Sequence, residues 1–213
     1  IGEPGTQLTM RTFHVGGTAQ IKEESQAIAH SAGKINIINR NIIENSKKNK
    51  IIMGRNTQIS IEDKNNQQLA IYKVPYGAKL FCDNNEEIQK GKKICEWDPY
   101  TLPVIAEKSG VVNYMDLVEG ISLAEIADDA TGLTSKSVLD WRSQSKNTEL
   151  KPRITLRDEK GNVIKKADDN EARYYLVPDS ILSVQDGQTV SAGDVLARLP
   201  KETSKTKDIT GGL

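Results

Sequence analysis

The feature that most constrains this chain is a repeat inside it. Tyr72-Lys73-Val74-Pro75 is echoed by Tyr175-Leu176-Val177-Pro178, an offset of 103 (178 − 75). The segment IQKGKKIC at 88–95 is echoed by VSAGDVLA at 190–197, an offset of 102 (193 − 91, on the shared glycine). Further upstream, ISIED at 59–63 matches ITLRD at 154–158, an offset of 95 (154 − 59). Three echoes in one order predict two copies of one module, with a change of length between the first echo and the other two. A chain of 213 residues has room for two such units and little else.

Each copy reads as β. Ile59 and Ile61, then Ile154 and Leu156, alternate with polar neighbours at the two-residue period of a half-buried strand. Turn signals follow each run: Asp63 to Asn66, Glu159 to Asn162, and Asp186-Gly187 before another short strand. Hydrophobic residues make up 37% and aromatics 5%, enough for small β cores. Lys+Arg and Asp+Glu balance at 29 each, so net charge supplies no general attraction to nucleic acid or to an anionic membrane. No apolar run is long enough to span a bilayer, and no membrane partner is expected. Cys82 and Cys95 lack the paired spacing of a zinc site and read as small apolar residues in a reducing cytoplasm, the expected location.

The string DGQTVSAGDVLARLP at 186–200 resembles part of a barrel-sandwich hybrid, the small β module also found in biotinyl and lipoyl carriers. Pro103 to Val112 adds to that likeness in the first copy. A carrier function would need a modifiable lysine at the tip of a tight hairpin. Lys108, between Glu107 and Ser109, is the nearest candidate, but its flanks do not resemble the carrier signature.

Outside the repeat, GEPGTQLTMRTFHVGG at 2–17 carries the chemistry. If Thr6 to Val15 is helical, Gln7, Met10, Arg11 and His14 share one face, being three, four and seven residues apart. An amide, a thioether, a guanidinium and an imidazole together suit a ribose, a base and a phosphate chain. Ten residues with Thr9, Thr12, Phe13 and Val15 among them fall short of the roughly 12–15 an isolated helix needs. Pro4-Gly5 and Gly16-Gly17 supply start, stop and hinge signals, with Thr6 as N-cap. The segment is therefore expected to be a conditional helix, ordered by whatever ligand binds its helical form. An ordinary surface helix between glycine turns is the plainer alternative on composition alone.

This block, with TKDITGGL at 206–213, resembles the two arms of the trigger loop in the β′ subunit of bacterial RNA polymerase. The resemblance implies that Met10 packs on the base of the incoming NTP, Gln7 lies near its ribose hydroxyls, and Arg11 and His14 face its phosphates. It makes His14 and Arg11 the catalytic candidates, and Gln7, Met10, Arg11 and His14 the substrate-binding set. It implies partners as well: the α, β, ω and σ subunits, the rest of β′, the NTP, and template DNA and RNA through the whole complex. No cofactor or metal is expected in this segment. The family's Mg ions are held by an aspartate cluster elsewhere in the subunit, and no such motif occurs here. The chain is thus expected to be an inactive piece of a larger nucleotidyltransferase.

The expected layout is mainly β: two tandem barrel-sandwich hybrid modules flanked by short conditional helical or disordered trigger-loop arms. Its divisions are an arm at 1–17, a linker at 18–33, a first module at 34–133, a second at 134–205 and an arm at 206–213. The lysines at 47–50 and 90–93 read as solvated turns, and Trp97 and Trp141 as packing beside a module. His30 is given no role. A β module serving only as a docking surface for proteins is the alternative from a different class.

Overall fold

The computed structural model describes residues 25–127, 129–143 and 149–201. Among these the chain is β throughout, with one short 3-10 turn at Trp141–Ser143 and no α-helix. Nine strands come first: β1 (Gln26–Ile28), β2 (Gly33–Ile38), β3 (Ile42–Glu44), β4 (Lys50–Ile52), β5 (Gln58–Glu62), β6 (Gln68–Lys73), β7 (Lys79–Leu80), β8 (Glu87–Ile88) and β9 (Lys93–Glu96). Nine more follow: β10 (Thr101–Ile105), β11 (Gly110–Met115), β12 (Leu123–Ala127), β13 (Thr134–Val138), β14 (Arg153–Arg157), β15 (Arg173–Tyr175), β16 (Ile181–Leu182), β17 (Thr189–Val190) and β18 (Val195–Pro200).

The pairing is the same twice. In the first nine strands the sheets run β1-β9-β7-β4-β3 and β6-β5-β2-β8; in the second nine they run β10-β18-β16-β13-β12 and β15-β14-β11-β17. Adding nine to each strand number turns one module into the other. All of these ladders are antiparallel, and none crosses from one set of nine to the other.

Alternation builds each core. Ile35 and Ile37 of β2 and Ile59 and Ile61 of β5 turn inward to meet Ile52, Leu80 and Ile94 from the facing sheet. In the second module Val112, Ile154 and Leu156 meet Val138, Leu182 and Leu196, with Trp141 and Tyr174 filling the ends. The four residues that carried the two-residue period, Ile59, Ile61, Ile154 and Leu156, are all fully buried. Between them sit Ser60 and Thr155, buried on the opposite face, each donating its hydroxyl to a carbonyl of the neighbouring strand.

The turns repeat with the strands. Asp63 accepts the N–H groups of Asn65 and Gln67 at 2.8 and 2.9 Å, and Asp158 accepts those of Lys160 and Asn162 at 2.9 Å. Such Asx turns need a left-handed residue next; Asn66 and Gly161 supply it, with φ of 61° and 83°.

Three expectations change. The break expected between 133 and 134 falls inside the β12–β13 hairpin, where Ala127 pairs with Thr134 and Leu123 with Val138. The sheets divide instead at 97–100, so Pro103 to Val112 belongs to the second copy. Residues 26–28, expected as linker, are β1, whose ladder with β9 closes the edge of the first sheet. The Tyr-x-Val-Pro echo is also one residue out of register. Val74 donates to Thr57 O as Leu176 donates to Pro152 O, which sets the offset at 102 (176 − 74) and pairs Tyr72 with Tyr174. Two adjacent tyrosines, Tyr174 and Tyr175, made the sequence alignment ambiguous there.

The length change has a location. Between β14 and β15 the second copy carries a loop whose Ile164 bonds to both Leu156 and Ala172, while Val163 and Lys165 bridge to Arg157 and Glu171. The first copy joins the matching strands by the five residues at 63–67.

Candidate functional site

Gln7, Met10, Arg11 and His14 lie outside the described residues, as does the second arm at 206–213. What the structure does describe is where the chain comes into and leaves the β modules. Gln26 pairs with Glu96 at the end of the first module, and Pro200 pairs with Thr101 at the start of the second. Only residues 97–100 separate these two points along the chain. Paired Cα atoms lie about 4.5–5.5 Å apart and each residue of chain adds at most ~3.8 Å, so Gln26 and Pro200 are within roughly 30 Å of each other.

The junction is hydrogen-bonded on both sides. Trp97 donates its backbone N–H to Ser25 O at 2.8 Å, and its indole packs partly buried on the first core. The carboxylate of Asp98 accepts from Tyr100 N at 2.8 Å and from Thr101 Oγ1 at 2.6 Å, and it faces Arg198 Nη1 at 3.7 Å. The Thr101 hydroxyl and the Tyr100 N–H, with a lesser contribution from the Arg198 guanidinium, hold the Asp98 carboxyl below its ordinary value against the opposing effect of burial. Arg198 Nη1 also reaches Thr101 Oγ1 at 3.5 Å.

Around this junction lies a cleft of about 480 Å³ between the modules, which Ser25 and Lys201 both line. Tyr76 and Trp97 supply aromatic walls, and Lys47, Lys79 and Arg198 supply positive charge, partly offset by Glu96 and Asp98. Lys79 sits 3.9 Å from Glu96. Burial pushes the Tyr76 hydroxyl up, and the Glu107 carboxylate adds to the rise.

A second contact joins the modules beside the cleft. Ser46, in the β3–β4 turn, donates its N–H and its hydroxyl to Asp194 Oδ1 at 3.2 and 2.7 Å, and Ser191 N donates to Asp194 Oδ2 at 2.9 Å. Burial alone would raise the Asp194 carboxyl, but the bonds from Ser191 and Ser46 outweigh it and hold it low. Gly193 lies so close to the first module that a Cβ there would stand 2.7 Å from Ile43 Cγ2 and 3.0 Å from Asn45 Cβ. Gly77 is similarly close to Pro103, at 2.4 Å.

The remaining candidates resolve plainly. Lys48 and Lys92 close turns and pair with Glu44 and Glu86, whereas Lys50 and Lys93, expected in turns, open β4 and β9 and pair with Asp83 and Glu96. Cys82 and Cys95 are buried thiols, pushed up to about 11 and about 12 by burial, and so are poor nucleophiles at neutral pH. Trp141 is in the second core. His30 donates its backbone N–H to Tyr72 Oη at 2.8 Å, a framework contact. Lys108 is exposed in the connection between β10 and β11, which belong to different sheets; it does not cap a hairpin as a carrier lysine would. Among the described residues no group of three or more His, Cys, Asp and Glu side chains is placed to hold a metal ion. No described helix is long and apolar enough to cross a membrane.

Sequence reasoning passed over Asp98, Thr101, Arg198, Ser46 and Asp194. Trp97-Asp98-Pro99 marks the break between copies only once Ala29 and Ala106 are known to be equivalent, as their matching bonds to Lys92 O and Asp194 O make them. The Ser46 contact, spanning 148 residues, leaves no local trace.

A family model described as RNA polymerase Rpb1, domain 5, matches residues 1–210, and so takes in both modules, the junction and the segment that carries His14. The chain belongs to the RNA polymerase Rpb1 domain 5 family.

Proposed function

We propose that this chain is the trigger-loop region of a bacterial β′ subunit, in which two substrate-closing arms flank an inserted pair of β modules that tunes elongation and pausing. Membership in an RNA polymerase largest-subunit family makes transcription by the DNA-directed enzyme the setting. The observation that carries the finer reading is the common cleft lined by Ser25 and Lys201. Two arms can fold together as a helical hairpin only if the domain between them takes in and releases the chain at neighbouring points.

In this reading Met10 covers the base of the NTP and Gln7 meets its ribose, while Arg11 and His14 face the triphosphate. Attack of the RNA 3′-hydroxyl on the α-phosphate builds negative charge on the departing pyrophosphate, and a cation placed there stabilises the transition state more than the ground state. The triphosphate would raise the pKa of a nearby His14, favouring its charged form. On this reading the Mg ions of the complete enzyme are held by residues elsewhere in the subunit. The partners are the α, β, ω and σ subunits, the rest of β′, template and transcript, in the cytoplasm.

The test is made in the assembled polymerase. His14→Ala or Arg11→Ala is expected to slow single-nucleotide addition roughly 100-fold, the low end of what one positioned acid or cation contributes. An unchanged rate would favour a docking module instead. Deleting 18–205 and rejoining the arms is expected to change pause durations while nucleotide addition persists.

A further inference from the structure

The junction at 97–101 does more than connect two modules. It touches the incoming strand on one side, through Trp97 N–H to Ser25 O, and the outgoing strand on the other, through Asp98 to Arg198 and Thr101 to Pro200. Asp98 is the hub, since a single carboxylate fixes Tyr100 N, Thr101 Oγ1 and Arg198 together. It accepts from Thr101, the first residue of the β10–β18 ladder, and that ladder is the last described before Lys201.

From this geometry we infer that Asp98 is a positioning residue: it clips β18 to the linker that holds β1, and so fixes the separation at which the two catalytic arms leave the insertion. This rests on the trigger-loop reading of the arms. Two helices that must pair have their folding equilibrium set partly by how far apart their roots are held. A root separation that wanders adds conformations to the unfolded loop and leaves the folded one unchanged. Loosening the clip therefore disfavours closure without touching the NTP.

Asp98 is half exposed, so its ion pair with Arg198 is worth little as stability. That makes the clip separable from folding. Loss of the Asp98 hydrogen bonds is expected to leave both cores intact, because neither core cluster includes residues 98–101.

The experiment uses complete polymerase carrying spin-labelled residues at the exposed positions 26 and 201, read by pulsed distance measurement, together with pause durations on a fixed template. Wild type is expected to give one narrow distance. Asp98→Ala is expected to broaden it and to lengthen pauses about twofold, with the first-order melting of the insertion unchanged; Asp98→Asn, which keeps an acceptor oxygen but not the charge, is expected to fall between. Asp158→Ala removes an equivalent turn carboxylate far from the junction and is expected to move neither reading. A distance that stays narrow in Asp98→Ala overturns the clip. So does a broadened distance with pausing unchanged. His14→Ala in the same polymerase checks the underlying reading separately: if nucleotide addition ignores it, the trigger-loop assignment fails, whatever the distances report.

Discussion

The two modules share one strand order and differ in what their equivalent positions touch. Gly91 and Gly193 occupy the same place in the repeat, both with φ of 92°, yet a Cβ at Gly91 would meet nothing within 4 Å and one at Gly193 would strike Ile43 and Asn45 of the other module. Tyr72 and Tyr174 each accept a backbone N–H at the turn after the first strand, from His30 and Glu107, at 2.8 and 3.0 Å. The first is only partly buried and the second is in the core, under the extra loop. Contacts that the copies share serve the single module, while those that differ arise where one copy meets the other, as at Gly193, or carries extra chain, as over Tyr174.

The largest effects should come from the framework and be equal in the two copies. Ile61→Ala and Leu156→Ala each empty a fully buried site and are expected to cost about 2–5 kcal/mol in denaturant titrations of the chain. If the two modules melt together after either change, the contacts between them couple their folding; if one melts alone, they do not.

Next come Gly33 and Gly110, which open β2 and β11 beside the ends of β5 and β14. A Cβ at Gly33 would lie 2.6 Å from the backbone oxygen of Glu62, but at Gly110 the nearest atom, also at 2.6 Å, is the flexible Cδ1 of Ile164. Gly33→Ala is expected to cost about 1–3 kcal/mol and Gly110→Ala less. Adding Ile164→Val should recover part of the second loss and none of the first, measured by the same titrations.

Smaller again is the contrast between Gly91→Ala and Gly193→Ala. The first should cost about 1 kcal/mol for its left-handed backbone. The second should cost that and also weaken the module contact, visible as faster hydrogen exchange at Ser46 N. Equal effects at both glycines would break the comparison.

The smallest change is pH-dependent. Asp98 has a folded pKa below its ordinary value of 3.8, so its contribution is present at neutral pH and is lost as the pH falls below 3.8. Asp194 behaves with the same sign. Acid titration followed by amide shifts at Thr101 and Ser46 should show the junction and the module contact loosening while both cores persist.

Much of this was legible from residues alone. The period-two isoleucines and leucine located β5 and β14, the Asp63 and Asp158 turns located the ends of those strands, and the repeat announced two like modules. The dividing point was not legible. The opening of each copy, Ala29 to Ile35 against Ala106 to Val112, is related by an offset of 77 (106 − 29), and later insertions stretch this to 102. A reader who trusts the larger offsets places the boundary too late.

The sequence by itself determined the strands, their inward faces and their turns, because alternation and left-handed turn residues act within a few residues of chain. It also carried the RNA polymerase family, whose model matches residues 1–210. Only the tertiary structure decided where one module stops, which register the tyrosines share, and that Ser25 and Lys201 border one cleft. Those facts depend on hydrogen bonds between residues far apart in the chain, such as Ser46 to Asp194, which form only when two finished surfaces meet.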